Sequence, residues 1–583
     1  MLAGTSVSRH KLWLLVGAAI LLLAACGPAA QEATPTASAP RATATPGGVA
    51  PSGTAAPTNT PAAKPTAMPV ATAKYGGTLR VYNRDNVLDW DFHKQITGSR
   101  HLRNIHHSIF SGVAGEAAIA PCVKEKVLDL GESWKWVDDK TFEVKLRQGV
   151  KFQNKPPVNG RELTAEDVVW SWKRIFAVNP RMEKVSAFNK DIVAVDKYTV
   201  RFLQTQPTPA LPDMLGIQTT SSVVAKESGD FSKDKQWGDW TVPDKTYVGS
   251  GPFMLKEVVS GVKVVTVKHP DYFKKGLPYV DQMEFITVPD QSTRLAAVIA
   301  GKLDLWFAET AVATALTAQK VAPNLAVQGC PMWEPLVVFF NEDEKPFNDV
   351  RVRRAALMAM DQESMIKTAF LGQANPSGIA PPLSPWYLAA KDFPQEIGKY
   401  LTYNPAEAKK LVADAGYPSG VKVTLNYFPG YGSPYNEGTE ALASMLAKAG
   451  FDVDLKGWER GVYNNMKADG KYQGLFATKT SGIENPLEYF LQFRSTVPVA
   501  QNTGHTKDPE MDKLVDAFSN TLDENKMKDL AKQIQYRMLD QAHVLQPPGH
   551  FDYSIAQPYV KGFVKGGRDQ NSRFWSENVW LDK

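Results

Sequence analysis

Several stretches of the chain alternate apolar and polar residues or repeat apolar residues at helical spacing, and together they predict both strands and helices. Residues 141–146 alternate apolar with polar side chains, which is the period of a strand with one buried face. Thr164 precedes a segment whose first turn carries Glu166 and Asp167, a pattern typical of an N-cap followed by acids that interact favourably with the helix dipole. Another alternating segment predicts a strand at 78–82.

Predicted strands and helices follow one another regularly in the second half of the chain. Asn404 and Pro405 are typical of the N-cap and first position of a helix, and Gly416 is typical of its end. This alternation is typical of βαβ units, in which helices cover a sheet, so the sequence predicts the α/β fold class. The segments predicted after this helix are a strand at 421–427, a helix at 434–449, a strand at 451–456 and a helix at 461–468.

An apolar run near the N-terminus, at residues 12–25, follows a basic segment that contains Arg9 and Lys11. The run is shorter than the roughly 20 apolar residues that cross a bilayer, so it predicts a secretory signal peptide and not a membrane helix. The run ends in Leu-Ala-Ala directly before Cys26, which resembles the lipobox of bacterial lipoproteins. The resemblance implies that residues 1–25 are removed and that Cys26 is lipidated. Ordinary secretion with an incidental cysteine is the alternative.

A segment of low complexity follows the cysteine. Residues 26–74 consist mainly of Ala, Pro, Thr, Ser and Gly, with prolines spaced throughout. Such a composition cannot bury enough apolar surface to offset the loss of chain entropy, so we expect a disordered tether. Lipid and tether together predict a body that is held at a membrane surface.

The remaining body, from about residue 75 to residue 583, is too long for one hydrophobic core, and two or three domains are expected. The formal net charge of +5 includes Arg9 and Lys11, which leave with a signal peptide. The body is therefore only weakly basic, and its charge predicts no nucleic-acid partner. Cys122 and Cys330 could pair in an oxidising compartment, but two separate thiols fit the sequence as well.

Motifs of catalysis and cofactor binding, such as phosphate-binding loops, nucleophile elbows and zinc-protease helices, are not found in the sequence. His101, His106 and His107 raise the hypothesis of a metal site, but their spacing is unsuitable and no acid lies among them. We interpret them as a solvated helix face and residues 342–344 as a solvated turn. The sequence therefore predicts no enzyme activity, no cofactor and no bound metal.

Short motifs are distributed over nearly the whole body. They occur at 134–136, 141–147, 150–152, 163–168, 249–253, 269–273, 278–281, 340–341, 346–353, 415–418 and 484–486. In kind and in order they resemble the motifs of family 5 extracellular solute-binding proteins, which are the peptide, dipeptide and nickel receptors of ABC importers.

The resemblance implies a periplasmic-binding-protein-like, two-lobe α/β fold of class II, cluster C, with an extra inserted subdomain. Chain crossings near 329–333 and 549–551 would form the hinge between the lobes. The implied segments are 75–111, 224–332 and 551–583 for lobe I, 112–223 for the inserted subdomain, and 333–550 for lobe II.

The resemblance also implies which residues contact a ligand. Trp458 follows a predicted strand, where loops of an α/β sheet face a cleft, and it matches a tryptophan near the ligand of peptide receptors. Trp306 and Phe307 match the lobe I segment that meets the ligand. Packing in a core is the alternative for each, because most tryptophans fill cores. Trp172 and Trp134 lie in framework motifs and are predicted to be structural.

Four further positions are weaker candidates. Met332 and Trp333 lie at an implied crossing, where they could line the cleft, although packing at the hinge is favoured. Thr97 and Tyr431 occupy loops that contact the ligand in related receptors. Glu484 could hold a ligand ammonium, or it could cap a helix instead.

One loop departs from the family pattern. Peptide receptors of this family hold the peptide's ammonium with an Asp, because an ammonium removed from water needs a carboxylate partner. Gly482 occupies that position here, within the neutral stretch 480–483, and Glu484 is the nearest acid. The departure weakens the hypothesis of a free peptide, and an oligosaccharide that stacks on aromatic rings would fit as well.

The implied function is that of an extracytoplasmic substrate-binding lipoprotein of an ABC importer. It would capture a small solute, with an oligopeptide as the first choice, and would deliver it to permease and ATPase subunits. We expect a monomer at the cell surface or in the periplasm, anchored by lipid. The alternatives are an oligosaccharide or metal-chelate receptor, a receptor that signals without transport, and an extracellular hydrolase, for which no nucleophile or carboxylate pair is identified.

Overall fold

The computed structural model describes residues 73–83, 91, 93, 104–111, 127–179, 182, 186–216, 221–228, 247–332, 334–380, 386, 388–480, 486–497, 501–564 and 574–583. The predicted signal peptide, Cys26 and the predicted tether up to residue 72 lie outside these residues. In the part of the chain that is described, no helix combines the length and the hydropathy needed to span a membrane.

The strands are β1 (Thr78–Asn83), β2 (Phe110–Ser111), β3 (Val127–Leu128), β4 (Gly131–Asp138), β5 (Thr141–Leu146), β6 (Asn189–Asp196), β7 (Thr199–Gln204), β8 (Phe253–Val259), β9 (Lys263–Lys268), β10 (Gln282–Thr287), β11 (Leu305–Thr310), β12 (Ala326–Pro331), β13 (Leu336–Phe340), β14 (Ala374–Asn375), β15 (Val421–Tyr427), β16 (Phe451–Gly457), β17 (Leu475–Lys479), β18 (Val544–Leu545), β19 (Gly549–Ala556), β20 (Val560–Lys561) and β21 (Trp580–Leu581).

The α-helices are α1 (Ala165–Val178), α2 (Leu211–Met214), α3 (Gln291–Ile299), α4 (Val312–Val321), α5 (Val350–Met358), α6 (Gln362–Thr368), α7 (Gln395–Gly398), α8 (Pro405–Asp414), α9 (Ser433–Lys448), α10 (Arg460–Asp469), α11 (Leu487–Phe490), α12 (Pro509–Ser519), α13 (Glu524–Asp540) and α14 (Phe574–Asn578).

Three larger sheets organise the described part of the chain. The lobe I sheet has the order β12-β19-β11-β1-β10-β9-β8, and β1 is parallel to β10 and β11. The lobe II sheet has the order β16-β15-β17-β13-β18, and β15, β16 and β17 are parallel. The inserted sheet has the antiparallel order β4-β5-β7-β6, with α1 packed against it. The predicted mixed α/β architecture is confirmed.

Two helices begin at the capping residues that the sequence predicts. The main chain of Thr164 donates a hydrogen bond to Asp167 at 2.9 Å, so the first turn of α1 is capped as predicted. The side chain of Asn404 accepts from the main chain of Glu407 at 3.1 Å and caps α8. The strands predicted at 141–146 and 421–427 match β5 and β15, the strands predicted at 78–82 and 451–456 are one residue longer in the structure, and the helices predicted at 434–449 and 461–468 differ from α9 and α10 by one residue at each end.

Trp172 is fully buried in the core beneath the inserted sheet, as predicted for a structural residue. Trp134, on the edge strand β4, is 43% exposed, and its ring packs on Phe142 at a centroid distance of 5.3 Å. It is therefore a surface residue that covers an apolar core.

Two connections join the lobe I sheet to the lobe II sheet. The chain leaves β12 at Pro331 and enters β13 at Leu336, and it returns between Leu545 and Gly549. The short strand β14 pairs with the first residues of β19, although it belongs to the range predicted for lobe II. The connections lie where the hinge was predicted, and movement about them stays a prediction.

The Gly-Ser-Gly-Pro-Phe motif at 249–253 has a packing explanation. A Cβ atom on Gly249 would lie 1.9 Å from the carbonyl oxygen of Ile105, and one on Gly251 would lie 2.5 Å from that of Asn104. The main chain of Gly251 also donates a hydrogen bond to Ile105 at 2.8 Å. Only glycine allows the two backbones to approach this closely.

We expect Gly249→Ala to lower the free energy of unfolding by about 3 kcal/mol, because the new methyl group must displace a buried backbone. Gly398→Ala is the matched control, since a Cβ there meets only ordinary van der Waals contacts at 3.5 Å. Urea unfolding of both variants tests this, and equal midpoints would contradict the explanation.

The interpretation of the histidines as a solvated helix face is wrong, and the interpretation of residues 342–344 as a solvated turn is confirmed only for Asp343 and Glu344. His106 and His107 are 2% and 0% exposed and lie outside any helix, and His107 contacts a carboxylate oxygen of Asp129 at 3.0 Å. His101 lies outside the described residues. Glu342 is not solvated either, because its carboxylate contacts His543 at 2.9 Å and Arg353 at 3.3 Å, whereas Asp343 in the same turn is exposed as predicted.

Cys330, in β12, is disulfide-bonded. Its partner lies outside the described residues, as does Cys122. The sequence allowed Cys330 to be either a free thiol or part of a disulfide. The structure excludes the free thiol.

Candidate functional site

The carboxyl ends of three parallel strands define one edge of the lobe II sheet. β15 ends at Tyr427, β16 at Gly457 and β17 at Lys479. Lys479 is paired with Leu336, the first residue after the connection from lobe I, so this edge lies beside the crossing. In α/β folds, ligands bind beyond the carboxyl ends of parallel strands, and this edge is the candidate site.

A lysine and two tyrosines meet at this edge. The ammonium of half-buried Lys479 lies 4.2 Å from the ring centroid of Tyr435 and 4.9 Å from that of Tyr431. Both distances are within the range of attractive cation–π contacts. The hydroxyl of Tyr431 lies 3.5 Å from that of Thr478. We call Tyr431, Tyr435 and Lys479 the edge cluster.

The edge cluster is tied to both chain crossings. The hydroxyl of Tyr435 donates to the carbonyl oxygen of Glu334 in the first crossing at 2.8 Å. Its ring meets the edge of the His550 ring at 4.8 Å, and His550 belongs to β19, directly after the second crossing. Burial, together with the nearby Lys479 ammonium, lowers the pKa of His550 to about 3. His550 is therefore neutral at physiological pH.

Trp458 lies at the same edge but points along the face of the sheet. Its indole N–H donates to the side-chain oxygen of Asn426 at 2.9 Å, and its main chain donates to Tyr427 at 3.0 Å. It lines a cavity of about 600 Å³. The cavity extends toward the opposite edge of the sheet and is lined by Asn341, Asp343, Glu344, Thr424, Asn426, Lys456, Trp458, Met466, Gly470, Lys471, Tyr472, Gln473 and His505.

Trp306 and Phe307 lie inside lobe I. Trp306 is fully buried and packs against Tyr82 with a centroid distance of 6.0 Å, and Phe307 is 1% exposed in the adjacent core. Neither side chain is exposed to a solute in this structure. Both residues pack in a core, which is the alternative to ligand contact that the sequence left open for them. The physical reason is that β11 is a central strand with buried side chains on both faces.

Met332 is half-buried in the first crossing, and its main chain donates to the carbonyl oxygen of His550 at 2.7 Å. This hydrogen bond links the two crossings. Thr97, Trp333 and Glu484, the other residues predicted to contact a ligand, lie outside the described residues.

The sequence indicated Tyr431 and Trp458 but not Tyr435, Lys479 or His550. Lys479 could have been found as the last residue of an apolar strand segment that follows the predicted helix at 461–468. His550 and Tyr435 are more than 100 positions apart in the chain, and no periodic pattern joins them. Within the described residues, no group of three or more His, Cys, Asp or Glu side chains could hold a metal ion.

Comparison with known proteins identifies a relationship that covers most of the body. The profile of the bacterial extracellular solute-binding proteins, family 5 (middle region), matches residues 125–501. The dipeptide-binding protein of Escherichia coli (strain K12) is 27% identical over 480 residues, which is 79% of this chain and 86% of that protein.

Solved structures share the fold. DppA of Helicobacter pylori, an ABC transporter-associated periplasmic binding protein in complex with the peptide STSA, has a TM-score of 0.69 at 23% identity and covers 88% of this chain and 99% of its own. NikA of Brucella suis, in complex with Fe(III)-EDTA, has a TM-score of 0.73 at 21% identity and covers 86% and 99%. At these identities the likeness shows that the two-lobe fold is shared. It does not indicate which ligand this chain binds.

Proposed function

Because the chain belongs to the bacterial extracellular solute-binding proteins, family 5, we propose that it captures a small solute between its lobes for an ABC importer. The proposed solute is an oligopeptide, in keeping with the dipeptide-binding relative. The proposed mechanism is closure of the lobes about the two crossings, followed by delivery to the permease. The Escherichia coli and Helicobacter pylori relatives named above are binding proteins.

One observation carries the proposal: an aromatic and polar cluster lies at the carboxyl edge of the lobe II sheet, directly beside both chain crossings. In the lobe I sheet, Thr310 at the end of β11 is paired with Tyr553 in β19, three residues after His550. A solute at this place can touch both lobes. Such a solute stabilises the closed state by the difference between its affinities for the closed and open states.

An oligosaccharide is the second candidate solute. The rings of Tyr431 and Trp458 are half-buried and accompanied by hydroxyl and amide groups of Thr478 and Asn426. Sugar faces stack on such rings while their hydroxyls bond to such groups.

A screen of peptides, oligosaccharides and metal chelates by thermal shift tests the function. We expect a bound solute to raise the melting temperature and to reduce the radius of gyration measured by small-angle X-ray scattering. An unchanged radius at saturation would contradict closure.

Trp458→Ala should weaken binding of the identified solute at least about 10-fold, because loss of a stacked ring removes buried contact area. Trp134→Ala is the matched control, since Trp134 lies on the inserted sheet. Titration calorimetry compares the two, and equal affinities would remove Trp458 from the site.

We also propose that Cys26 carries the lipid anchor. Each buried methylene contributes about 0.8 kcal/mol, so several acyl chains would hold the protein durably at a membrane. Cys26→Ala should move nearly all of the protein from the membrane fraction to the soluble fraction of cells that express the full chain. Retention of the variant in membranes would disprove the anchor.

A further inference from the structure

The second chain crossing is attached to lobe II and to lobe I through nearby residues of β19. His550 is paired with β14, and its ring stacks at a centroid distance of 5.7 Å on Phe370, which belongs to the core of lobe II. The carboxylate of Asp552 accepts a hydrogen bond at 3.1 Å from the main chain of Thr310, at the end of β11 in lobe I. A change in the angle between the lobes therefore bends β19 at Phe551, which lies between the two attachments.

The first crossing has the same division. Its last residue in β12 is Pro331, which is paired with Phe551 of β19. Beyond this pair, the carbonyl oxygen of Glu334 accepts a hydrogen bond at 2.8 Å from Tyr435 of lobe II. The pair of Pro331 and Phe551 thus marks the line about which the lobes would turn.

A side-chain hydrogen bond joins the lobes across this line. The hydroxyl of Tyr553 donates to the side-chain oxygen of Gln373 at 2.7 Å. Tyr553 packs against Val312 and Ala315 of α4 in lobe I. The main chain of Gln373 donates to the carbonyl oxygen of Phe370 at 2.7 Å, which fixes Gln373 to lobe II. We call the hydrogen bond between Tyr553 and Gln373 the strap.

The donor of the strap is held in a defined place. Tyr553 is 5% exposed and is paired with Gly329 of β12, where a Cβ atom would lie 2.5 Å from the tyrosine ring. Burial, together with the charge of Asp552, raises the pKa of Tyr553 to about 12. The hydroxyl therefore keeps its proton at physiological pH and can donate to Gln373.

The strap lies on the face of β19 that points away from the candidate site. Successive side chains of a strand point to opposite faces, so His550 and Tyr553, three residues apart, lie on opposite faces. The ring of His550 meets that of Tyr435 in the edge cluster at 4.8 Å, so the candidate site is on the face of His550. Closure over the candidate site brings groups on this face together and moves groups on the opposite face apart. It would therefore separate Tyr553 from Gln373.

We infer that the strap stabilises the open state of the lobes and has to break when they close on a solute, so that it sets the affinity of the site. This inference rests on the proposed function and adds a residue pair that controls it. A contact that is made only in the open state lowers the population of the closed, binding-competent state. It lowers the apparent affinity by the same factor.

Tyr553→Phe tests the inference, because it keeps the ring over Gly329 and removes only the hydroxyl. We expect the variant to bind about 3- to 10-fold more tightly than the wild type, which is the effect of one hydrogen bond between uncharged groups. Titration calorimetry of the full-length protein measures this with two probes, a mixed pool of dipeptides and tripeptides and a mixed pool of short oligosaccharides.

Further variants assign the effect to the strap. Gln373→Leu removes the acceptor and should raise the affinity by a similar factor, and the double variant should gain nothing beyond either single one. Tyr559→Phe is the matched control, because its hydroxyl donates to Asp304 within lobe I; it should bind like the wild type. Thermal unfolding of each variant without solute verifies that it is folded.

The outcomes separate the two proposals. Binding by Tyr553→Phe that is equal to or weaker than that of the wild type, an equal gain in Tyr559→Phe, or additive gains in the double variant would overturn the strap and leave solute capture intact. Absence of binding of both pools and of the metal chelates to every form of the protein would overturn the proposed function, and the strap with it.

Discussion

Acidification from pH 7 to pH 5 is expected to lower the free energy of unfolding by several kcal/mol. Three histidines, His93, His106 and His550, are buried in the folded protein. Burial lowers the pKa of His93 to about 3, aided by the charge of Arg174, and it lowers the pKa of His550 to about 3, aided by Lys479. Burial also lowers the pKa of His106 well below its ordinary value.

The sign follows from proton linkage. A histidine in the unfolded chain takes up a proton near pH 6.5, whereas these three remain neutral in the folded state until the pH is far lower. The unfolded state therefore binds more protons between about pH 6.5 and pH 3, and stability falls as the pH falls through this window. His93 and His550 each contribute a loss of about 2 kcal/mol between pH 6.5 and pH 5, and His106 acts in the same direction.

His543 acts in the opposite direction over a different range. Burial alone would lower its pKa, but the carboxylates of Glu342 and Asp508 outweigh burial and raise it. Its stabilising contribution is fully present below pH 6.5 and is lost as the pH rises through the folded-state pKa. It therefore offsets little of the loss below pH 6.5.

Urea unfolding between pH 5 and pH 7.5 measures how steeply the free energy of unfolding changes with pH. The variant His550→Phe tests whether His550 contributes to this change. Phenylalanine keeps a ring between Phe370 and Tyr435 but cannot take up a proton. The slope of the variant should be smaller by about 1.4 kcal/mol per pH unit below pH 6. A slope equal to that of the wild type would show that His550 does not contribute.

Asp508→Ala is expected to lower the free energy of unfolding by about 4 kcal/mol at pH 7. Asp508 is 5% exposed and precedes α12, where it accepts hydrogen bonds from the main chains of Glu510 at 3.1 Å and Met511 at 3.2 Å. Its carboxylate also accepts from Arg537 at 2.7 Å and contacts His543 at 3.1 Å. Removal of one member of such a buried pair leaves a charge without compensation.

The pKa of Asp508 is lowered in the folded protein, which agrees with this role. Burial alone would raise it, but hydrogen bonds from His543 and Arg537 outweigh burial and hold it well below its ordinary value of 3.8. The stability that the carboxylate contributes is thus present above pH 3.8 and is lost as the pH falls through the folded-state pKa.

Two further variants separate the causes. Asp508→Asn keeps an oxygen that can cap α12 and removes the charge, so the loss of the cap alone, about 1 kcal/mol, is the difference expected between it and Asp508→Ala. Glu510→Ala is the control, because Glu510 is exposed and forms a salt bridge with exposed Lys513 at 3.2 Å; we expect less than about 1 kcal/mol. A loss below 1 kcal/mol for Asp508→Ala would contradict the network.

The sequence predicted individual elements better than it predicted the environment of charged residues. β15 and the capped starts of α1 and α8 follow from local periodicity and capping, which depend on neighbours a few residues away. From the sequence, His106, His107 and Glu342 are expected in solvent, because no partner for their side chains is visible among their neighbours in the chain. Their partners, such as Asp129 and His543, come from distant segments that a local pattern does not show.

The residues of the candidate site also divide into those that a local pattern selects correctly and those whose environment it does not show. Tyr431 and Trp458 stand next to predicted strands, so the carboxyl-edge rule selects them from sequence. Trp306 satisfied the same family pattern but lies in the lobe I core, because β11 is covered on both faces. The sequence shows directly that these residues are aromatic. Whether their rings are exposed depends on the order of the strands in the sheet, which the sequence does not show.

By itself the sequence determined the α/β class, the family and the positions of those strands and helices that have a clear periodicity or cap, since each is encoded in residue types and spacings along the chain. Only the tertiary structure decided that Lys479, Tyr435 and His550 meet. These residues belong to a strand, a helix and the strand after the second crossing, and their contact depends on the pairing of β17 with β13 and on where the chain passes between the lobes. Such non-local pairing results from the packing of whole sheets and leaves no periodic signal in any one segment.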